Sequence, residues 1–282
     1  MKIAVIPNNT RQEAVDCAQE VLKILGGLGC EAILHDYRCI GLQACLEETA
    51  TSLRGYDILL AIGGDGTIIH TAKVAAALDT PILGINAGKL GFTASLERGE
   101  LSLLANLVRG EYQEEPRLML QVEVAAQKGK GVYHALNDAV VSAELAKIID
   151  YQVALSQKPA LGKEPGYPYR ADGFIVSTPT GSTAYALSAG GPVVDPSLDC
   201  LLYTPICPHS LFNRSVLFGG DTCLEVGIPE NRSRLYLTVD GERPLELRPG
   251  DKLFFSRSSQ AARFIRLTDR NFYDILHEKL VY

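Results

Sequence analysis

No run of lysine or arginine interrupts this sequence, no Cys-x-x-Cys pair occurs in it, and no apolar stretch approaches the length of a membrane span. Each absence removes a class of function. Proteins built mainly to hold nucleic acid carry a basic stripe, whereas this chain has a formal net charge of −6. Its seven cysteines, Cys17, Cys30, Cys39, Cys45, Cys200, Cys207 and Cys223, are odd in number and scattered. They show neither zinc spacing nor a disulfide framework, and read as thiols of a reducing compartment. A bilayer span needs ~18–20 consecutive apolar residues. The opening run Met1 to Pro7 is also too short for a signal h-region. The expectation is a soluble, cytoplasmic chain that partners neither nucleic acid nor membrane.

What is present is enough apolar material for a real core: 46% of 282 residues, a length that suits two ordinary domains. Residues 2–6 read as a buried strand, with cap chemistry from Asn8, Asn9 and Thr10. Ala14, Ala18, Val21, Leu22 and Leu25 follow at helical spacing, so 11–28 is a helix ended by Gly26, Gly27 and Gly29, and 31–35 is a second strand. Residues 56–62 form a strand running into Gly63, 67–78 a helix, and 81–86 a further strand. Alternating strands and helices predict a parallel sheet, with ligands at the carboxyl ends of its strands. Near Pro116 the period shortens to alternation at Leu118, Leu120, Val122 and Val124. Strand-like runs recur at 132–142, 149–155, 173–178, 215–218, 222–228, 234–239 and 253–257. The predicted fold is an α/β domain over 1–116 and a β-rich, sandwich-like domain over 117–282, whose helical tail packs back on the first domain.

The chemistry centres on Gly63-Gly64-Asp65-Gly66-Thr67. A strand ends, glycines let the backbone turn and approach a ligand, and a helix N-terminus follows; together these describe a phosphate seat. Asp65 inside it repels phosphate, unless it works through Mg²⁺ or takes the proton of an attacking hydroxyl. An ordinary capped turn explains these five residues equally well. The motif is neither the dinucleotide fingerprint nor a Walker A loop. The second cluster spans 172–185 and carries Asp172, Ser177, Thr178, Thr180, Ser182, Thr183 and Tyr185. Caps account for one or two of its hydroxyls. The set, with one aromatic ring at Tyr185, suits a nucleobase and its ribose. Asn137-Asp138, closing a strand, reads by itself as an Asx turn, and Asp240-Gly241-Glu242 as a hairpin turn. His134 and His209 show no partner pattern, and no metal ligand is assigned.

Taken together these segments resemble the NAD kinase family, which phosphorylates NAD to NADP. The resemblance runs from Ile3-Ala4-Val5-Ile6-Pro7-Asn8 to the tail Phe272-Tyr273-Asp274-Ile275-Leu276-His277-Glu278-Lys279-Leu280. It includes Asn86-Ala87-Gly88-Lys89-Leu90-Gly91-Phe92, and Thr204-Pro205-Ile206-Cys207-Pro208-His209-Ser210-Leu211 with Asn213-Arg214. It implies that Asp65 accepts the proton of the adenosine-ribose 2′-hydroxyl as that oxygen attacks the terminal phosphate of ATP, with Gly66 beside it. Gly63, Gly64, Gly66 and Thr67 form the phosphate loop. Asn137 and Asp138 hold NAD; Thr183, Ala184, Tyr185 and Ser188 surround the adenine and its ribose. Asp172 and Arg170 reach the nicotinamide end, and Glu242 lies near a polar ligand contact. The basic pair usual after Asn137-Asp138 is thinned, and Lys147 is expected to supply the cation. The 157–169 loop is longer than usual, and Asp195 stands where His is common. Mg²⁺ bridging the phosphates, ATP or polyphosphate as donor, and a homodimer or homotetramer are further implications. Two rivals remain at this stage: a lipid or sugar kinase sharing the Gly-Gly-Asp-Gly turn, and a nucleotide-binding sensor without turnover.

Overall fold

The computed structural model describes residues 1–35, 43–88, 91–126, 129–144, 147–156, 166–210, 213–229 and 234–280. Lys89, Leu90, Leu145, Ala146, Leu211 and residues 157–165 of the long loop, all part of the sequence expectations, lie outside them. The chain divides into two compact units, Met1–Arg117 with Gln260–Tyr282, and Leu118–Ser259. The sequence-based division carries the second domain on to residue 282, whereas the last 23 residues belong with the first unit.

In the first unit, β1 (Lys2–Pro7), β2 (Glu31–Leu34), β3 (Ile58–Gly63) and β4 (Ile82–Asn86) form a parallel sheet in the order β2-β1-β3-β4. β5 (Leu96–Glu97) pairs with β4, also in parallel. β1, β3 and β4 are buried almost throughout, as continuous apolar runs in a parallel sheet should be. α1 (Gln12–Gly27) buries Ala14, Cys17, Ala18, Val21 and Leu25 against the sheet. Gly29 ends it in the left-handed region at φ 78°. The cap expected from Asn8 takes another form. The helix N-cap is Arg11, with no side-chain cap bond, while Asn8 Oδ1 accepts from the Thr10 N–H (3.1 Å) and hydroxyl (2.7 Å), closing an Asx turn. α2 (Gln43–Ser52) was not legible in the sequence, nor was α4 (Leu104–Arg109) with the 3₁₀ turn before it. α3 (Asp65–Ala77) starts two residues before its predicted position and takes Asp65 into its first turn.

The second unit is a sandwich of two antiparallel sheets. One holds β6 (Gln113–Ala126), β7 (Gly129–Ala135), β9 (Ile149–Ser156), β10 (Tyr167–Ala171), β14 (Cys223–Gly227) and the first part of β17 (Lys252–Arg266). The other runs β13-β12-β11-β8-β15-β16, with β8 (Asp138–Ala143), β11 (Gly173–Ser177), β12 (Cys200–Ile206), β13 (Val216–Gly219), β15 (Leu235–Val239) and β16 (Leu245–Leu247). The two inner faces share one core, with the Tyr151 and Phe174 rings packed at a tilt, their centroids 4.7 Å apart, and the Tyr151 and Tyr203 hydroxyls bonded at 2.6 Å. β11 and β12 are buried on both faces because α5 (Tyr185–Ser188) and Val194 cover their outer side. That double burial hid β12 and its Pro205 from an alternation test; β10 and β16 escaped it as short edges. The run predicted over 132–142 is two strands broken at Leu136 and Asn137, so Asn137-Asp138 opens β8 rather than closing a strand. The tail forms α6 (Phe272–Leu280), opened by a reciprocal cap: Asp274 N–H to Asn271 Oδ1 (3.0 Å) and Asn271 N–H to Asp274 Oδ2 (2.9 Å).

Candidate functional site

β3 runs without interruption into the first turn of α3, and the turn between them is Gly63-Gly64. Gly63, Gly64 and Gly66 carry the turn without entering the left-handed region. Their value lies in missing bulk. A Cβ on Gly63 would meet Thr67 Oγ1 at 2.7 Å, whereas at Gly64 and Gly66 it would meet nothing within 4 Å. At Gly64 and Gly66 the start of this 13-residue helix therefore faces open space with its backbone uncovered by a side chain of its own. Thr67 Oγ1 accepts from Asn8 Nδ2 at 3.1 Å, which ties the turn to the end of β1.

Asp65 is half-buried and held by one short segment. Its Oδ2 accepts the Phe92 N–H (3.1 Å); its Oδ1 accepts the Thr93 N–H (3.1 Å) and the Thr93 hydroxyl (2.6 Å). Gly91 makes the approach possible, since a Cβ there would lie 2.2 Å from Asp65 Oδ1. The second glycine turn thus serves to clamp the acid of the first. The Ala87 N–H to Gly63 carbonyl bond (3.3 Å) joins the two turns directly. Buried Asn86, at the end of β4, donates to Glu97 Oε2 (2.9 Å) and to the Gly88 carbonyl (3.3 Å). Burial raises the Glu97 carboxyl above its ordinary range, against the opposing Asn86 bond. Lys279 of α6 reaches the same segment, its Nζ 4.0 Å from the centre of the Phe92 ring. Burial lowers its ammonium to about 8, although the charges of Asp65, Glu97 and Glu278 oppose that shift. Thr93, Glu97 and Lys279 were not singled out in the sequence; they sit outside any glycine motif, and only tertiary contact connects them to Asp65.

In the second unit, Asn137 and Asp138 are fastened from two sides. The Asp240 carboxylate accepts three successive backbone N–H groups, those of Leu136 (2.8 Å), Asn137 (2.8 Å) and Asp138 (3.1 Å). Asp240 and Gly241 take positive φ (47° and 69°) in the β15–β16 hairpin, which turns the carboxylate back toward β8. The turn reading of Asp240-Gly241-Glu242 is correct about geometry and silent about this role. From the other side, Thr178 donates its hydroxyl to the Leu136 carbonyl (2.5 Å) and its N–H to the Asn137 carbonyl (2.9 Å). Gly181 lies so close that a Cβ would stand 2.1 Å from the Asn137 oxygen. Held in this way, Asn137 keeps a buried Oδ1 with no hydrogen-bond partner, and Asp138 is 5% exposed. Burial, and secondarily the Asp240 charge, raise the Asp138 carboxyl to about 7.

The hydroxyl cluster divides into two groups. Ser182 bonds the Pro179 carbonyl (2.7 Å) and accepts the Val194 N–H (2.9 Å), and Thr183 bonds the Thr180 carbonyl (3.2 Å), so with Thr178 these hydroxyls shape turns. Ser177 Oγ is buried with no partner, whereas Tyr185, 47% exposed, and Ser188 stand open on the short helix α5. Asp172 lies 3.9 Å from His209 Nε2, and the His209 N–H bonds the Arg170 carbonyl (2.8 Å), so His209 gains the partners its sequence context did not show. Arg170 pairs with Asp150 across β9 and β10 (3.8 Å). Lys147 is exposed, and the Glu242 N–H closes the hairpin onto the Val239 carbonyl (2.9 Å).

An acid clamped at the start of a helix after a parallel strand, with a β-sandwich following in the chain, defines a two-domain kinase class. The chain matches the ATP-NAD kinase N-terminal domain over residues 3–112 and the ATP-NAD kinase C-terminal domain over 140–267. It belongs to the NAD kinase family. The NAD kinase of Symbiobacterium thermophilum is 38% identical across 99% of this chain and 98% of that protein. That of Caldanaerobacter subterraneus is 34% identical over the same shares. Among solved structures, an NAD kinase from Archaeoglobus fulgidus in complex with ATP superposes with a TM-score of 0.72 at 26% identity, covering 98% of this chain and 99% of that one. Yeast NADH kinase complexed with NADH shares the fold, with a TM-score of 0.81 at 22% identity over 100% and 88% of the two chains.

Proposed function

We propose that this chain is an NAD kinase that moves the terminal phosphoryl group of ATP onto the 2′-hydroxyl of the adenosine ribose of NAD, giving NADP and ADP. The observation that carries the mechanism is the clamped Asp65. A carboxylate offers about four lone-pair sites. Thr93 occupies two on Oδ1 and Phe92 one on Oδ2, so Oδ2 retains one for an incoming proton. As the ribose oxygen bonds to phosphorus, the bond from phosphorus to the bridging oxygen of ADP breaks, and the hydroxyl proton passes to Asp65 Oδ2. The open backbone at Gly64, Gly66 and the start of α3 receives phosphate, with Gly63 and Thr67 shaping the turn. The orphan acceptor of Asn137 and the buried carboxyl of Asp138 suit ribose hydroxyls, and Thr183, Ala184, Tyr185 and Ser188 the adenosine. Arg170, Asp172 and Lys147 serve the rest of the dinucleotide, and Glu242 a peripheral contact. Among the described residues no three His, Cys, Asp or Glu side chains assemble into a metal cage. In this scheme Mg²⁺ enters with the donor's phosphates, as part of the substrate. An assembly of two or four copies completes the reading, to be measured by light scattering.

The test is a matrix of donors (ATP, polyphosphate) against acceptors (NAD, NADH, diacylglycerol) with Mg²⁺. NADP from ATP and NAD, abolished by EDTA, is the expected result. Labelled lipid without NADP would place the chain among lipid kinases, and NAD binding without turnover would make it a sensor. Tyr185→Ala is expected to weaken NAD by about 5- to 150-fold, since stacking a base on an aromatic ring contributes ~1–3 kcal/mol, and to leave ATP nearly unchanged. Equal loss for both ligands in titration calorimetry would remove the stacking role.

A further inference from the structure

Lys279 is the least explained charge in the first unit. Its Nζ is shielded from solvent and has no hydrogen-bond partner. Among the described residues no carboxylate lies within ion-pair distance of it. Of the three acidic groups that act on it, two are committed elsewhere: Asp65 to Phe92 and Thr93, Glu97 to Asn86. An ammonium buried with its donors unmade is costly unless an acceptor arrives. One flank is closed by the Phe92 ring, and Phe92 is the residue whose N–H holds Asp65 Oδ2. The cation thus stands on the segment that clamps the acid, beside a helix start free of side chains at Gly64 and Gly66. A phosphate entering that seat would meet the negative charge of Asp65, and a cation there offsets it.

We propose that Lys279, delivered by the C-terminal helix α6, is a phosphate ligand of the Asp65 site, donating to an anionic oxygen of the phosphoryl donor. This rests on the reading of that site as the donor's seat. It assigns the tail a direct part in donor binding, beyond its packing on the first unit. The reciprocal Asn271–Asp274 cap and the Arg270–Glu100 ion pair (2.6 Å) anchor the start of α6, which fixes the direction from which Lys279 enters. The acidic groups around it are Asp65 from α3, Glu97 at the end of β5 and Glu278 from α6 itself.

Calorimetric titration of the full chain with ATP, inorganic tripolyphosphate and NAD, in the presence of Mg²⁺, tests this without requiring turnover. Lys279→Met is expected to weaken ATP and tripolyphosphate about tenfold or more, the loss of a charged hydrogen bond, and to change NAD affinity by less than about twofold. Lys279→Arg, which keeps the charge, supplies a second readout should the methionine variant fail to fold. Wild-type affinity for tripolyphosphate should fall between pH 7 and 9 as the ammonium discharges, and the arginine variant should show no such fall. Unchanged tripolyphosphate binding in Lys279→Met, equal losses for tripolyphosphate and NAD, a wild type that binds no tripolyphosphate, or the same pH decline in Lys279→Arg overturns the assignment. A wild type that makes no NADP yet binds tripolyphosphate through Lys279 would remove the kinase reading and keep this one. Normal NADP synthesis with Lys279-independent ATP binding would do the reverse.

Discussion

Asp65→Asn is expected to lower turnover by about 10²–10⁴-fold, the usual contribution of a positioned general base, while NAD affinity stays within a few-fold. The amide keeps the size of the carboxylate and loses its basicity. It also loses an acceptor. Oδ1 and Oδ2 both receive N–H donors, from Thr93 and Phe92, so whichever way the amide turns, its NH₂ faces a backbone N–H. One unsatisfied donor of this kind costs ~1–3 kcal/mol, and a lower unfolding midpoint should accompany the kinetic loss. Steady-state kinetics with ATP and NAD, alongside NAD titration and thermal unfolding, separates the effects. Near-normal turnover would remove Asp65 as the base, and lost NAD binding would show that the clamp, rather than proton transfer, had been broken.

Asp138→Asn is expected to have opposite effects on stability and on binding. In the folded chain the Asp138 carboxyl titrates near 7, raised first by burial and then by Asp240, against 3.8 for the free group. Between about pH 4 and 7 the folded state therefore binds a proton that the unfolded state has released. Stability from this group falls as pH rises through that window, and above pH 7 the whole penalty is present. It is on the order of a few kcal/mol. An amide cannot ionise, so the variant should unfold at a higher temperature than wild type at pH 8, with the advantage gone by pH 4. The backbone of residue 138 keeps its bond to Asp240, so the loop should hold its shape. NAD affinity should nonetheless drop about tenfold or more, as expected when a charged acceptor is removed from a ribose contact. Unfolding at pH 5 and 8, paired with NAD titration, checks both halves. A variant less stable than wild type at pH 8 would mean that the ionised carboxylate is satisfied in the fold and that its burial carries no penalty.

Much of the fold was legible because hydrophobic period and burial coincide where a strand or helix meets one core. The α1 face, the parallel strands β1, β3 and β4, and the half-buried β15 all follow their patterns. β12 failed that test because its two faces meet two apolar surroundings and nothing alternates. The single run over 132–142 failed for another reason: at Leu136 and Asn137 the backbone donors turn from a sheet ladder to the Asp240 carboxylate, 103 residues away in sequence for Asn137.

The same division holds for the site. The sequence by itself determined that a glycine-framed acid follows a buried strand and opens a helix, that an Asn-Asp pair and a hydroxyl-rich turn exist, and which family these resemble. Those are local facts of residue type and spacing. Tertiary structure alone decided what holds each group. Asp65 is gripped by Phe92 and Thr93 through the space left at Gly91. Asn137 and Asp138 hang from Asp240. Lys279 comes to the acid from the far end of the chain. A hydrogen bond or a charge acts over a few ångströms of space, and the separation of its partners along the chain leaves no periodic trace from which to read it.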